Sequence, residues 1–226
     1  MDERVSGGRG RGEGVKRQEI LVAATARFGR DGYENTKWAD IAADVGVGPT
    51  ALYHYFESKQ HCVYEIMDEA IDVFRRRFDE ITARDSDPIE ALVTVLQDCF
   101  DLSELDVQRN RLLVAEQGLL GGARASPREE QARQSARARR RDLESIWASF
   151  LSSAMRKEVI PHNDPRLLAR AILGLYNSIW QWFRPNGAVA LRRVAEFFID
   201  RILAMIGVTP ETKVHGRMVA GYRDAK

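Results

Sequence analysis

Cysteine is almost missing from this chain: Cys62 and Cys99 are the only two, and both fall inside apolar helical patterns. A disulfide framework is therefore disfavoured, and two buried free thiols in a reducing, cytoplasmic setting are expected. Histidine is also scarce, and His54, His61, His162 and His215 share no metal-ligand spacing with one another or with the cysteines, so no metal site is expected. There is no signal-peptide core near the start and no apolar run long enough to span a bilayer. Net charge is only +1. Acidic and basic residues balance within residues 1–59 as well, so no broad electrostatic footprint for nucleic acid exists there and position must carry the reading. Strand-like alternation and internal repeats are missing. So are a Gly-rich phosphate loop, a nucleophile elbow and a carboxylate pair in an apolar setting, which argues against an enzyme and against a cofactor. What remains is an ordinary globular composition, 44% hydrophobic and 30% charged, in 226 residues that suffice for one domain or two.

The informative stretch is residues 36–59, TKWADIAADVGVGPTALYHYFESK. Thr36 is placed to cap a short helix whose inward positions are Trp38, Ile41, Ala42 and Val45, with Asp40 and Asp44 turned outward. Gly46 supplies a residue free to take positive φ where the chain reverses, and Val47 drops an apolar side chain into the corner. Pro49 suits the first position of a second helix, where its missing N–H costs nothing. In that helix Leu52 and Phe56 share one face and point inward. Thr50, Ala51, Tyr53, His54 and Tyr55 are left for the other faces. Two phenols and an imidazole are unusual on a solvated helix, and their flat bodies with hydrogen-bonding tips suit base edges and phosphates. The competing reading is that the tyrosines only pack against the first helix.

Residues 15–83 resemble the DNA-binding domain of TetR-type one-component repressors. The resemblance is carried by Thr36, Asp40-Ile41-Ala42, Gly46-Val47, Leu52-Tyr53, Phe56 and Lys59, all in register. It implies an all-α protein in which a three-helix helix-turn-helix domain precedes a larger helical domain for ligand binding and dimerisation. It also implies a homodimer on palindromic DNA that a small molecule releases. On the same footing Thr36, Pro49, Thr50, Ala51, Tyr53, His54 and Tyr55 match DNA-contacting positions, and Lys59 matches a phosphate contact. Lys59 makes independent sense, because a helix N-terminus already favours an anion. Gly48 departs from the usual capping serine, and Trp38 replaces a smaller aliphatic residue.

The rest of the chain reads as helices. Residues 1–14 are polar and Gly-rich and are expected to be disordered, either as a plain tail or as an arm for the minor groove. Ile20, Ala24 and Phe28 space a first helix that Gly32 closes. Ser58 caps a long amphipathic rod to about Ala83, followed by a break at residues 85–88 and a helix opened by Pro88. Val107 to Leu120 form another helical stretch ending at Gly121-Gly122. The longest pattern runs from Pro127 to Val159, its first part carrying Arg133, Arg137, Arg139, Arg140 and Arg141, most simply a solvated face. Asp164 and Pro165 open a helix that is apolar all round, and the last helix, Val189 to Ile206, is similar. Two such helices suit a four-helix bundle across a two-fold axis, the usual dimer interface of the resembled family. Residues 15–60 are thus read as the DNA-binding domain, 61–207 as the ligand and dimer domain, and 208–226 as a loose tail.

For an effector, the resemblance points to the middle helices, which makes Phe100, Trp147, Phe150, Tyr176 and Trp180 candidates for a pocket lining. The stretch NSIWQWFRPNG resembles a branch of the family that senses coenzyme A thioesters of fatty acids or of ring-degradation intermediates. Arg137, Arg140 and Arg141 would then meet ligand phosphates. Multidrug sensing through an apolar pocket and a ligand carrier that binds no DNA are the competing readings.

Overall fold

A computed structural model describes residues 7–84 and 87–208, with side chains from residue 12. The regular structure of the described residues is all helical, with no strand. None of the helices is long and apolar enough to cross a membrane. In order they are α1 (Gly7–Asp31), α2 (Trp38–Asp44), α3 (Pro49–Tyr55), α4 (Lys59–Arg84), α5 (Pro88–Asp98) and α6 (Glu104–Ala115). A 3₁₀ turn (Gln117–Leu120) leads to α7 (Pro127–Arg156), α8 (Pro165–Trp182) and α9 (Leu191–Met205).

Local signals set most of these ends. Gly32 takes φ 88° after α1 and returns its N–H to the Phe28 carbonyl, and Gly46 takes φ 67° in the turn between α2 and α3. Asp87 and Asp164 accept the orphan N–H groups behind Pro88 and Pro165, and Ser103 with Asp106 forms a capping box on α6. Two ends depart from expectation. The first helix begins at Gly7 and not Val15, so part of the stretch read as a disordered arm is helical; residues 1–6 and the tail from 209 lie outside the described residues. The N-cap of α2 is Lys37 with no side-chain bond, whereas the Thr36 hydroxyl donates back to the Gly32 carbonyl at 2.8 Å. A hydroxyl held inward by that carbonyl cannot also face the N–H groups of α2.

The chain divides into two compact units. One comprises residues 1–71 and 103–139, the other 72–102 and 140–226. The core of the first gathers Ile20, Phe28, Ile41, Leu52, Phe56, Val63 and Tyr64 together with Leu112, Leu120 and Ala136 from much later in the sequence. Within it α1 lies close on α6, where a Cβ on Gly29 would lie 2.4 Å from the Gln108 Cβ and 2.8 Å from its Cα and carbonyl oxygen. Only glycine permits that approach. The second unit packs α5, α8 and α9 around Leu92, Leu96, Ile172, Ile179, Trp180 and Ile202, and the Tyr176 hydroxyl ties α8 to the Cys99 carbonyl at 2.9 Å. Both cysteines are free and buried, and burial raises both thiols, so neither is a ready nucleophile.

Gly29→Ala is expected to force α1 off α6 and to lower stability by about 1–3 kcal/mol. A fall in the urea midpoint tests this, and shortening Gln108 to Ala should give no relief, because the atoms met are its backbone and Cβ.

Candidate nucleic-acid interface and effector region

The two-turn helix α3 is held by one face. Leu52 and the following Phe56 are completely buried, with Phe56 edge-on to Trp38 and to His61 and beneath the Arg17 guanidinium. The opposite face is open. Tyr53 is 54% exposed, Pro49, Thr50 and His54 are exposed, and Ala51 and Tyr55 are half-buried. The structure thus brings Pro49, Thr50, Tyr53 and His54 onto one outward surface. Thr36 does not belong to it, being only 3% exposed.

Lys59 opens α4 with its ammonium donating to the carbonyls of Tyr33 and Thr36 at 3.0 and 2.9 Å, 4.5 Å above the Tyr33 ring. It clamps the loop between α1 and α2, and one of its three N–H groups is left for an outside acceptor. Ion pairs brace the motif from behind. Arg27 on α1 holds both carboxylate oxygens of Asp44, which lowers that carboxyl, and Arg17 meets Glu65 at 2.7 Å. His61 is buried, accepts the Glu57 N–H at Nδ1 and faces Glu65 through Nε2 at 3.4 Å.

A fold of this geometry matches known regulators in two segments. Residues 20–66 match the profile of bacterial regulatory proteins of the tetR family, and residues 121–206 match the tetracyclin repressor-like C-terminal domain. The chain belongs to the TetR family. It is a helix-turn-helix regulator of transcription. Among its relatives is the HTH-type transcriptional repressor KstR2 of Mycobacterium tuberculosis H37Rv, 25% identical over 197 residues that span 87% of this chain and 94% of that protein. KstR2 of Rhodococcus jostii RHA1 is 27% identical over 85% of this chain and 91% of its own. The solved structure of the ketosteroid transcriptional regulator KstR2 of Mycobacterium tuberculosis superposes with TM-score 0.67 at 25% identity, covering 84% of this chain and 94% of that one. AibR, solved with isovaleryl coenzyme A and operator DNA, shares the fold at TM-score 0.67 and 22% identity, covering 82% and 97%.

The candidate effector residues of this TetR-family chain fall in separate places. Trp147 and Phe150 join Phe74 and Phe78 in one aromatic cluster, whereas Phe100, Tyr176 and Trp180 join Phe183 in another. Both buried indoles, Trp147 and Trp180, have N–H groups without an acceptor, as does Trp38 in the first unit. Beside the first cluster lies an open cleft of about 580 Å³ between α4 and α7, floored by Phe78, Ile146 and Phe150 and rimmed by Arg75, Asp79, Thr82, Asp142, Ser145 and Ser149. Of the expected lining residues only Phe150 reaches it. In the arginine run, Arg133 is buried against Glu130 and the Leu120 carbonyl, and Arg139 pairs with Asp68 at 2.8 Å. Arg137, Arg140 and Arg141 are exposed and form no ion pair among the described residues. Three contributors escape a reading of sequence. Ser126, Arg128 and Glu129 lie against the end of α3, and nothing local marks residues so far along the chain as part of that motif.

Glu65 carries a pH dependence. Its contact with His61, together with Arg17, holds its carboxyl below the ordinary 4.5 in spite of desolvation. A depressed carboxyl stabilises the fold above the unfolded-state value, and that contribution disappears as pH falls through the folded value. Urea midpoints measured from pH 7 down to 3 should therefore drop less steeply on the acid side in Glu65→Gln than in the unaltered protein.

Proposed function

We propose that the chain is a homodimeric repressor that reads a palindromic operator with α3 and leaves it when a small molecule binds. In this reading residues 15–60 contact DNA, and residues 61–207 bind the effector and dimerise. The observation that carries it is the contrast between the sealed side of α3, Leu52 with the following Phe56, and an open face bearing Thr50, Tyr53 and His54. Support for the dimer comes from α8 and α9, which expose Leu167, Trp182 and Phe197 at 60%, 49% and 59%. Apolar side chains at that exposure on two neighbouring helices suit a second copy. Palindromic half-sites should then lie about 34–36 Å apart or somewhat more.

The effector is proposed to be a coenzyme A thioester of a fatty acid or a ring-degradation intermediate. Arg137, Arg140 and Arg141 offer guanidinium groups free of internal partners for phosphates, and the buried indole N–H groups are donors suited to a carbonyl oxygen. The name of the KstR2 relative, a ketosteroid regulator, is in keeping with an apolar ring as the acyl part. One observation favours a second reading: the cleft beside Phe78 and Phe150 carries Asp79 and Asp142, and aromatic rings with carboxylates suit an amphipathic cation. α4 is one continuous helix from Lys59 to Arg84, and a ligand that tilts it would change the spacing of the two α3 helices. Linkage then requires ligand to weaken operator binding by the factor by which operator weakens ligand binding.

Tyr53→Ala or His54→Ala should cost roughly 1–3 kcal/mol of binding to a duplex selected from a random pool. Lys59→Ala should weaken all sequences alike and flatten the salt dependence, with thermal melting as the control for its loop clamp. Unchanged affinity in all three variants contradicts DNA reading by α3.

In an operator titration, acyl thioesters should release the unaltered protein, whereas a variant with Arg137, Arg140 and Arg141 replaced together by Gln should stay bound. Release by drug-like cations, with thioesters inert at millimolar concentration, moves the second reading ahead.

A further inference from the structure

The far end of α3 is held by residues some 70 positions later. A helix leaves its last carbonyls without partners, and a helix of two turns has little stability of its own. The Tyr55 carbonyl accepts from the Arg128 guanidinium at 2.9 Å. The Glu57 carboxylate accepts the Ser126 hydroxyl, and the Ser58 hydroxyl donates to Glu129 at 3.0 Å while accepting the His61 N–H that opens α4. The elbow between α3 and α4 is thus gripped at Tyr55, Glu57 and Ser58 by the first turn of α7. That turn is itself anchored. The Arg124 guanidinium donates to the Tyr64 hydroxyl and the Leu119 carbonyl at 2.6 and 2.8 Å, its backbone N–H donates to Glu130, and buried Arg133 closes the set on Glu130 and the Leu120 carbonyl. The Arg133 contact, the Gln134 amide and that N–H pull the Glu130 carboxyl down to about 2.

We infer that the first turn of α7 is a positioning element of the DNA reader, in which Ser126, Arg128 and Glu129 fix the angle of α3 and Arg128 acts through the Tyr55 carbonyl. The inference rests on the proposal that α3 reads DNA. Leu52 and Phe56 pin one face of α3 but leave its tilt about that face open, and the grip at its end removes this freedom. Because α7 is continuous from Pro127 to Arg156, the grip and the exposed Arg137, Arg140 and Arg141 share one helix. A ligand that shifts α7 would reach the reader without passing through α4.

The test is Arg128→Ala, with Arg128→Lys and Ser126→Ala beside it, in the full chain. Two readouts are amide exchange in the DNA-free protein and binding to the duplex selected by the unaltered protein. Faster exchange over residues 49–58 is expected in Arg128→Ala and Ser126→Ala, with recovery in Arg128→Lys, which keeps a donor. Affinity for the selected duplex should fall about tenfold in Arg128→Ala, the worth of one hydrogen bond from a charged group, at unchanged salt slope. Unchanged exchange overturns the inference. A fall in affinity accompanied by a slope reduced by about one and unchanged exchange also overturns it, since Arg128 is then a direct phosphate contact. If the unaltered protein selects no duplex, it is the DNA-reading proposal that fails, and the exchange data still decide the grip.

Discussion

Everything proposed for this chain hangs on the seating of a helix too short to support itself. The seven residues of α3 have no side-chain cap at Gly48 and no stabilising length, so their conformation is imposed by burying Leu52 and Phe56. The surface on which those two residues land is not local. Ile20, Phe28, Ile41 and Val63 supply part of it, and Leu112, Leu120 and Ala136 belong to the same core. A fragment ending at residue 60 would lack the Tyr64 hydroxyl bonds, the α6 contact against Gly29 and the grip on Tyr55. The three-helix motif is therefore seated on a larger body, and that body includes residues from the segment that matches the C-terminal domain profile.

This arrangement has a consequence for coupling. Allosteric release needs an element with two arrangements that both sites bias, and a shared rigid core transmits displacement better than a flexible hinge. Two helices qualify on continuity, α4 from Lys59 and α7 from Pro127. Each touches the reader in a different way: α4 follows α3 directly, with Lys59 clamping the loop ahead of α2, and α7 holds the last turn of α3 through side chains. Rotation of either helix would move α3 about a different axis.

What the sequence reveals follows a physical rule. Gly32, Gly46, Pro49 and Asp164 with Pro165 act on their immediate neighbours, and each stands where the spacing predicts; Leu52 and Phe56 are both buried as expected, although Phe56 follows the helix in extended backbone and is not part of it. Thr36 shows the limit of the same logic, since its hydroxyl can accept from the N–H groups ahead of it or donate to a carbonyl behind it, and the structure has it donating to Gly32. Long-range features leave no such trace. Gly29 reads as an unremarkable helix residue until α6 lies against it, and Arg133 reads as one of a solvated run until Glu130 and the Leu120 carbonyl enclose it. The aromatic candidates for the effector were legible as apolar, which says only that they lie inside; their separation into two clusters depends on how α5, α7 and α8 are laid together.

The charge of the reader constrains how it can recognise DNA. Most described cations of the motif and its support have internal partners: Lys16 with Glu19, Arg17 with Glu65, Arg27 with Asp44, Arg30 with Asp31, and Lys59 with two carbonyls. On the proposed surface a phosphate would have to compete with these internal partners, so counterion release contributes less there than from unpaired cations. Recognition on the proposed surface then falls to Thr50, Tyr53 and His54, whose hydrogen bonds to base edges tolerate small errors of placement poorly. A reader with strong phosphate anchoring can absorb a slight tilt of its helix, because the anchors hold the duplex while side chains adjust. A reader without it would depend on the tilt itself, and on the proposed reading that is the freedom which the contacts from α7 to the end of α3 remove.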